Sequence, residues 1–414
     1  MKKIELLAPA GTFEKMQSAF NFGADAVYFA GKKFGLRAFA GNFDDKEIEL
    51  AVNYAHSLNK KVYITINILA HEDDFDGLED YILWLEKIKV DAVIVSDLGI
   101  ISLITQIAPK LVIHVSTQAN ILNSYAINFL AKFGVKRIIL ARELSIDEIK
   151  SIKNKIPKDI ELESFVHGAM CISYSGRCLL SNYLAGRDSN RGACVQPCRW
   201  EYTITEKTRK GEQYTIEEDD KGTYILNSKD LCLIENLEEL IDAGICSFKI
   251  EGRMKSEYYV ANVVNAYHRA LTLIDSKTDD KKDKLLNLKK ELEKSSHRRY
   301  TTGFYFGEKN KEYLENSMPV QTHEFIAVVL ENAENGFVKI QMRNRFKVGD
   351  VLEVLSPNDN FNKKIKVSFM MDENQNIIED AKVVQQIIYL KTDLNLMKGD
   401  FLRKQLSEIP QTKQ

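Results

Sequence analysis

In the stretch HGAMCISYSGRCLLSNYLAGRDSNRGACVQPCRW, His167 to Trp200, stand four of the chain's six cysteines: Cys171, Cys178, Cys194 and Cys198. A thiolate is either a nucleophile or a soft metal ligand, and spacing separates the two. Structural zinc favours paired C-x-x-C-like knuckles, whereas the nearest pairs here are seven and four positions apart. Iron–sulfur clusters tolerate irregular spacing, because loops wrap a larger object with four corners. Gly168, Gly176, Gly186 and Gly192 supply the backbone freedom to wrap one. A cysteine nucleophile needs a base, and His167 lies four positions before Cys171, with His114 ending another strand-like run. The zinc-protease pattern HExxH is absent: His71-Glu72 lacks its second histidine. Buried apolar thiols account well for Cys246 but poorly for four cysteines in a polar stretch. Cluster ligation is the favoured reading, with the thiol–histidine nucleophile and the buried thiol as its alternatives.

A second group is charged. In SFKIEGR, alternate residues share a face, so Lys249, Glu251 and Arg253 line up together. If that face points inward, Arg253 is nearest the mouth and suits a carboxylate or phosphate; the competing reading is a structural ion-pair ladder. Asn67, Asp97, Ser116 to Gln118, Arg142 and Glu143 also stand at the ends of strand-like runs. In HRRYTTGFYFG, Arg298 and Arg299 are followed by Tyr300, Phe304 and Tyr305, a pattern that suits phosphate contact with base stacking or, alternatively, a solvated linker.

The elements that must hold these residues are visible as short β-branched runs. They begin at Ile4, Ala26, Val62, Ala92, Val112, Arg137, Glu161 and Ser247, most of them separated by amphipathic helical patterns. Repeated strand–helix alternation predicts parallel strands with crossover helices, here a (β/α)8 TIM-like barrel over residues 1–255. A doubly wound sheet fits less well, since APAGTFEK after the first strand lacks a phosphate-binding glycine pattern. YILNSKD, from Tyr224, is a candidate ninth strand or a replacement for one of the eight. About eighty residues separate the last two strands. The cysteine-rich insertion, about 168–232, falls in that interval and so sits over the barrel mouth. Its polar continuation EKTRKGEQYTIEEDDKG reads as a solvated hairpin or loop. Residues 256–320 read as a helical extension and linker, and 321–414 as a small antiparallel β-barrel ending in a frayed SEIPQTKQ tail.

Composition bounds the setting. The 414 residues are 44% hydrophobic and 28% charged, with formal net charge −2, so RNA binding would require a local basic patch. MKKIELLAPAG lacks the apolar core of a signal peptide, and no apolar window spans a bilayer. The expected location is cytoplasmic, where thiols stay reduced and a disulfide knot is disfavoured.

Glu163, Phe165, Gly168, Ala169, Met170, Cys171, Gly176, Cys178, Leu180 and Ser181 match, position by position, the signature of the collagenase-like peptidase family U32. LLAPAG, ADAVYFAG, NSKDLC, FKIEGRMKS and the C-terminal β domain are also similar to this family, so the resemblance covers essentially the whole chain. Within the family the chain most resembles the branch that hydroxylates tRNA. That resemblance implies oxygen-independent formation of 5-hydroxyuridine at the wobble position, linked to prephenate and using a 4Fe–4S cluster. It implies Cys171, Cys178, Cys194 and Cys232 as ligands, with Cys198 the alternate to Cys194. The partners expected are tRNA and a small dicarboxylate metabolite, with no membrane. His167 would move protons, Arg253 or Arg142 would hold a donor carboxylate, and Glu251 stands with them as a catalytic candidate. The β domain and HRRYTTGFY would contact tRNA. Two further readings are proteolysis of a peptide substrate, which the family's name suggests, and a non-catalytic redox-sensing module.

Overall fold

The computed structural model describes residues 3–35, 41–171, 173–191, 193–200, 217–219, 222–224, 229–276, 278–307 and 320–406. The expected tail SEIPQTKQ and most of EKTRKGEQYTIEEDDKG lie outside the described residues. The chain divides into two compact units: residues 1–16, 24–255 and 298–319, and residues 17–23, 256–297 and 320–414.

The first unit is the barrel. Strands β1 (Glu5–Pro9), β2 (Ala26–Phe29), β3 (Lys61–Ile66), β4 (Ala92–Val95), β5 (Ile113–Val115), β6 (Arg137–Ile139), β7 (Glu161–Ala169) and a later strand, Ile245–Ile250, are the eight expected. Each pairs in parallel with the next, and the last closes the ring on β1 and on β7. Helices α1 (Phe13–Asn21), α2 (Asp45–Ser57), α3 (Leu78–Lys87), α4 (Leu98–Ile107), α5 (Ser124–Ala131) and α6 (Ile146–Lys153) are the crossovers. α2 shows why they form. Ile48, Ala51, Val52 and Ala55 make one buried stripe, and Asp44 and the N3 residue Glu47 cap each other's backbone amides.

Between β7 and the closing strand lie α7 (Leu180–Ala185), β8 (Glu217–Asp219), β9 (Gly222–Tyr224), β10 (Asp230–Cys232) and α8 (Leu237–Asp242); the closing strand is therefore β11. β8 and β9 pair as a short antiparallel hairpin. Most of YILNSKD, residues 225–228, lies outside the described residues. β7 outruns the barrel, and its tip pairs antiparallel with β10, which sets Cys232 opposite His167. β12 (Tyr300–Thr301) then adds in parallel to β10.

The floor of the barrel is charged. Arg137 donates to Glu163 Oε2 at 3.0 Å, to Glu161 Oε2 at 2.7 Å and to Glu5. Ser247 donates to Glu5 and Glu163, and Tyr63 to Glu5 at 2.7 Å. Burial alone would raise the Glu163 carboxyl, but Lys249 and Arg137 outweigh it and hold it below its ordinary 4.5. His114 stacks edge-on to Tyr63; burial and then the Arg137 and Lys249 charges hold it well below the usual histidine range, so its ring is neutral.

In the second unit, α9 (Glu257–Asp275) and α10 (Lys281–Leu292) fold with the β domain, and are not a segment apart as the sequence suggested. The strands are β13 (His323–Val329), β14 (Phe337–Met342), β15 (Phe346–Lys347), β16 (Val351–Leu355), β17 (Lys364–Lys366), β18 (Met370–Asp372), β19 (Asp380–Ala381), β20 (Ile387–Lys391) and β21 (Phe401–Gln405). Seven form one antiparallel sheet with β17 and β18 at its edges. Only Val367 to Phe369 connect those edges, a reach of roughly 14 Å, whereas a flat seven-stranded sheet holds its edges about 29 Å apart. The sheet is therefore rolled, as a small barrel requires. Arg403, fully buried, links it to α9 and α10 by donating to Glu353 at 2.7 Å, Asn262 at 3.1 Å and Glu291 at 2.7 Å. Among the described residues no helix is long and apolar enough to cross a membrane.

Candidate functional site at the barrel mouth

The C-terminal ends of the barrel strands enclose a polar cavity of about 90 Å³. β2 and β3 contribute Tyr28 and Thr65, the segment after β5 contributes Ser116, Thr117 and Gln118, and β7 contributes Phe165. Arg142 follows β6, Lys249 comes from β11, and Glu251 and Arg253 follow it. Lys249, Glu251 and Arg253 thus share one face and line one cavity, as their alternation predicts. The ion-pair reading also holds in part, because Lys249 Nζ donates to Glu163 Oε1 at 3.0 Å beneath the cavity. Burial, opposed by Glu163, holds the Lys249 ammonium below its ordinary range. Its positive end also lies 4.2 Å from the Tyr28 ring centroid.

Arg253 donates to Asn42 Oδ1 at 2.8 Å. Tyr28 donates to the Ile250 carbonyl at 2.9 Å and to Glu251 at 3.3 Å. Arg142 is the least satisfied cation. One Nη donates to the Ala169 carbonyl at 3.1 Å, and it makes no ion pair among the described residues. Its buried Nε has no partner there either. Thr65 Oγ1 is a second buried polar atom without a partner in the same cavity. Buried donors left open are costly, and the ligand that repays them carries acceptor oxygens. With Lys249 paired to Glu163, Arg142 and Arg253 face the one carboxylate Glu251, a positive excess that suits a small anion.

His167 is buried but does not line this cavity. Its carbonyl accepts the Glu251 amide at 2.9 Å, and its ring lies 5.4 Å from that of Tyr300. Gly168 (φ +107°) lets β7 pass close by: a Cβ there would meet the Glu251 carbonyl oxygen at 2.6 Å.

The insertion is tied to the same rim. Ser175 lines the cavity and donates through both its amide and its hydroxyl to the Glu143 carboxylate at 2.5 Å. Arg177 donates to the Gln118 carbonyl at 3.0 Å, and Asn120 to the Tyr174 carbonyl at 3.0 Å. None of the six cysteines is in a disulfide. Cys178 Sγ accepts the Leu180 amide at 3.4 Å and Cys194 Sγ the Gln196 amide at 3.3 Å. The donor chemistry therefore fits a cluster. The sulfurs are not gathered, however: among the described residues no three His, Cys, Asp or Glu side chains are placed to hold a metal ion. Cys232 is buried in β10 and Cys194 is exposed.

HRRYTTGFYFG is partly structural: His297, Gly303 and Tyr305 are buried, whereas Arg299, Phe304 and Phe306 are exposed. Arg298 donates to Asp230 Oδ1 at 2.7 Å and 3.0 Å. Tyr305 is buried, and its hydroxyl meets Ser164 at 2.5 Å and the Phe165 carbonyl at 3.0 Å. Burial holds the Tyr305 phenol up at about 12. Sequence reading missed the Glu5–Arg137–Glu163 floor, whose available signal was a charge at or near the start of each apolar run.

A family model described as "Peptidase family U32" matches residues 11–315, and one described as "Peptidase family U32 C-terminal domain" matches residues 321–403. The chain is 40% identical over 410 residues to "tRNA hydroxylation protein P1" of Bacillus subtilis (strain 168), covering 97% of this chain and 95% of that protein. It is 37% identical over 404 residues to "tRNA hydroxylation protein P" of Escherichia coli (strain K12), covering 87% and 88%. It is also 31% identical over 319 residues to "Collagenase" of Porphyromonas gingivalis (strain ATCC BAA-308 / W83), covering 75% of each.

Proposed function

The chain belongs to peptidase family U32, and from that premise we propose that it is a tRNA-modifying enzyme, an oxygen-independent hydroxylase forming 5-hydroxyuridine at the wobble position. The observation that carries this reading is the correspondence, over 97% of the chain, to a relative named for tRNA hydroxylation. Such an enzyme acts where tRNA is, in the cytoplasm.

In this reading Cys171, Cys178, Cys194 and Cys232 would hold a 4Fe–4S cluster. When bound, the cluster supplies a Lewis-acidic and redox-active centre. The chain's own residues do the rest. Arg142 and Arg253 hold the carboxylates of a small metabolite, prephenate or a similar dicarboxylate, in the cavity. Lys249 keeps the floor of that cavity positive. Glu251, which accepts the Tyr28 hydroxyl, orients or relays a proton there. His167 acts from behind, through the carbonyl that fixes Glu251.

The collagenase-named relative favours proteolysis as a second reading. The thiol in register with His167 is Cys232, not Cys171, and both Cys232 and His167 are buried. A reactive thiol must be accessible to its substrate, and a polypeptide does not reach this pair.

Mass spectrometry of tRNA nucleosides from a deletion strain tests the function, together with iron and sulfide analysis of anaerobically purified protein. Unchanged wobble 5-hydroxyuridine after deletion, or stoichiometric zinc in place of iron, would refute it. A narrower test is Arg142→Met. Hydroxylation is expected to fall about a hundredfold, the scale of losing one charge-stabilising donor. The melting midpoint should not fall, because the open Nε is removed with its burial cost. Full activity with a lowered midpoint would make Arg142 a structural residue.

A further inference from the structure

HRRYTTGFYFG offers only part of itself to RNA, since Arg298 is paired with Asp230 and Tyr305 is buried, while Arg299, Phe304 and Phe306 are exposed. A different surface carries the same residue types. Between Cys171 and Trp200 the sequence holds Arg177, Arg187, Arg191 and Arg199 against the single acid Asp188, in a chain whose net charge is −2. Tyr183 is 87% exposed and Tyr174 49%, with Leu179 and Trp200 also exposed.

Tyr174, Arg177, Leu179 and Tyr183 stand on an anchored scaffold. Ser175 is fixed by Glu143, Tyr174 by Asn120 and Arg177 by Gln118, while Ser181 accepts the Val195 amide at 3.1 Å. Exposed rings on fixed backbone are prepaid contact area, since little further ordering is needed to use them. The patch also adjoins the cavity, because Ser175 lines the cavity and Tyr174 precedes it.

We infer that the outer face of the insertion, centred on Tyr174, Arg177, Leu179 and Tyr183, is a stacking surface for unpaired RNA nucleotides beside the one delivered to the barrel mouth. This rests on the tRNA reading above and gives that reading a place on the molecule. Every base has a π-face, so tyrosines read unpaired nucleotides whatever their sequence, and arginines pair with the phosphates between them. A stacked duplex offers its bases to neither. A neutral polypeptide would use the rings and leave the excess of arginine without a purpose.

The test uses the full chain and two fluorescein-labelled RNAs, a hairpin with an unpaired loop and a blunt duplex of the same stem, read by fluorescence anisotropy. The Tyr174→Ala/Tyr183→Ala variant is expected to bind the loop RNA about a hundredfold more weakly, about tenfold per lost ring, with duplex binding unchanged. Arg187→Gln should lower the salt dependence of binding by about one phosphate contact. Melting midpoints equal to wild type confirm that folding is intact. Loop-RNA affinity unaltered by the double substitution overturns the inference and leaves the tRNA reading standing. Failure of the wild-type chain to bind either RNA overturns both. Gelatin displacing the loop RNA would make the patch a polypeptide surface and likewise overturn the inference.

Discussion

Arg137→Ala is expected to yield little folded protein, and what folds should be about 3–5 kcal/mol less stable than wild type. Arg137 is buried at the floor of the barrel, where its guanidinium serves Glu5, Glu161 and Glu163 together. Alanine removes the cation and leaves Glu163, fully buried, with Lys249 and Ser247 as its remaining partners. An uncompensated buried charge is among the most expensive defects a core can hold, and the loss approaches the whole stability of many domains. The pH dependence follows from Glu163. Its folded pKa lies below the ordinary 4.5, so its contribution is fully present above 4.5 and is lost as pH falls through the lower folded value. Removing Arg137 takes away one of the two charges that hold it down, so acid unfolding should begin at higher pH in the variant. Adding Glu163→Gln should not recover the loss, because it leaves the buried Lys249 ammonium without its carboxylate. Thermal melts across the acid range measure all three effects. Equal midpoints for wild type and Arg137→Ala at neutral pH would show that the network contributes nothing.

This network marks where sequence reading stops. The eight barrel strands were legible because each is a β-branched apolar run followed by a crossover, a pattern written locally. Glu5 and Arg137 are 132 positions apart, and nothing local says that one satisfies the other. The same blindness affected HRRYTTGFYFG. Arginines beside aromatics look alike whether they face solvent or not, and the partners that bury them, Asp230 and Ser164, lie 68 and 141 positions away. The alignment of Lys249, Glu251 and Arg253 was readable, since a strand's period of two is fixed by backbone geometry. That Arg142 and Ser175 join them depends on how loops fold over the mouth. The density of thiols in the insertion was plain in the sequence. The position of Cys232 beside His167 was not, because it depends on the antiparallel register between β10 and the overhanging tip of β7.

That register gives Cys232 a test of its own beside the other cysteines. Cys171→Ser, Cys178→Ser and Cys232→Ser are each expected to abolish wobble 5-hydroxyuridine when they replace the wild-type gene, and to lose iron when purified anaerobically. Serine keeps the shape but gives a hard, weakly acidic oxygen in place of a soft thiolate, so it makes a poor corner for a cluster. Cys246→Ser is the control. Cys246 lies near the start of β11, at the end of the strand away from the mouth, and its thiol donates to the Leu162 carbonyl at 3.5 Å. A serine hydroxyl can make the same bond, so iron content and activity should match wild type. The last pair decides the fourth corner. Cys194 is the corner that the family resemblance implies, so Cys194→Ser should lose iron while Cys198→Ser keeps it. The reverse outcome would give the corner to Cys198. Iron and 5-hydroxyuridine retained in Cys171→Ser, Cys178→Ser and Cys232→Ser alike would remove the cluster from the mechanism, and the cavity cations would then have to account for the chemistry without it.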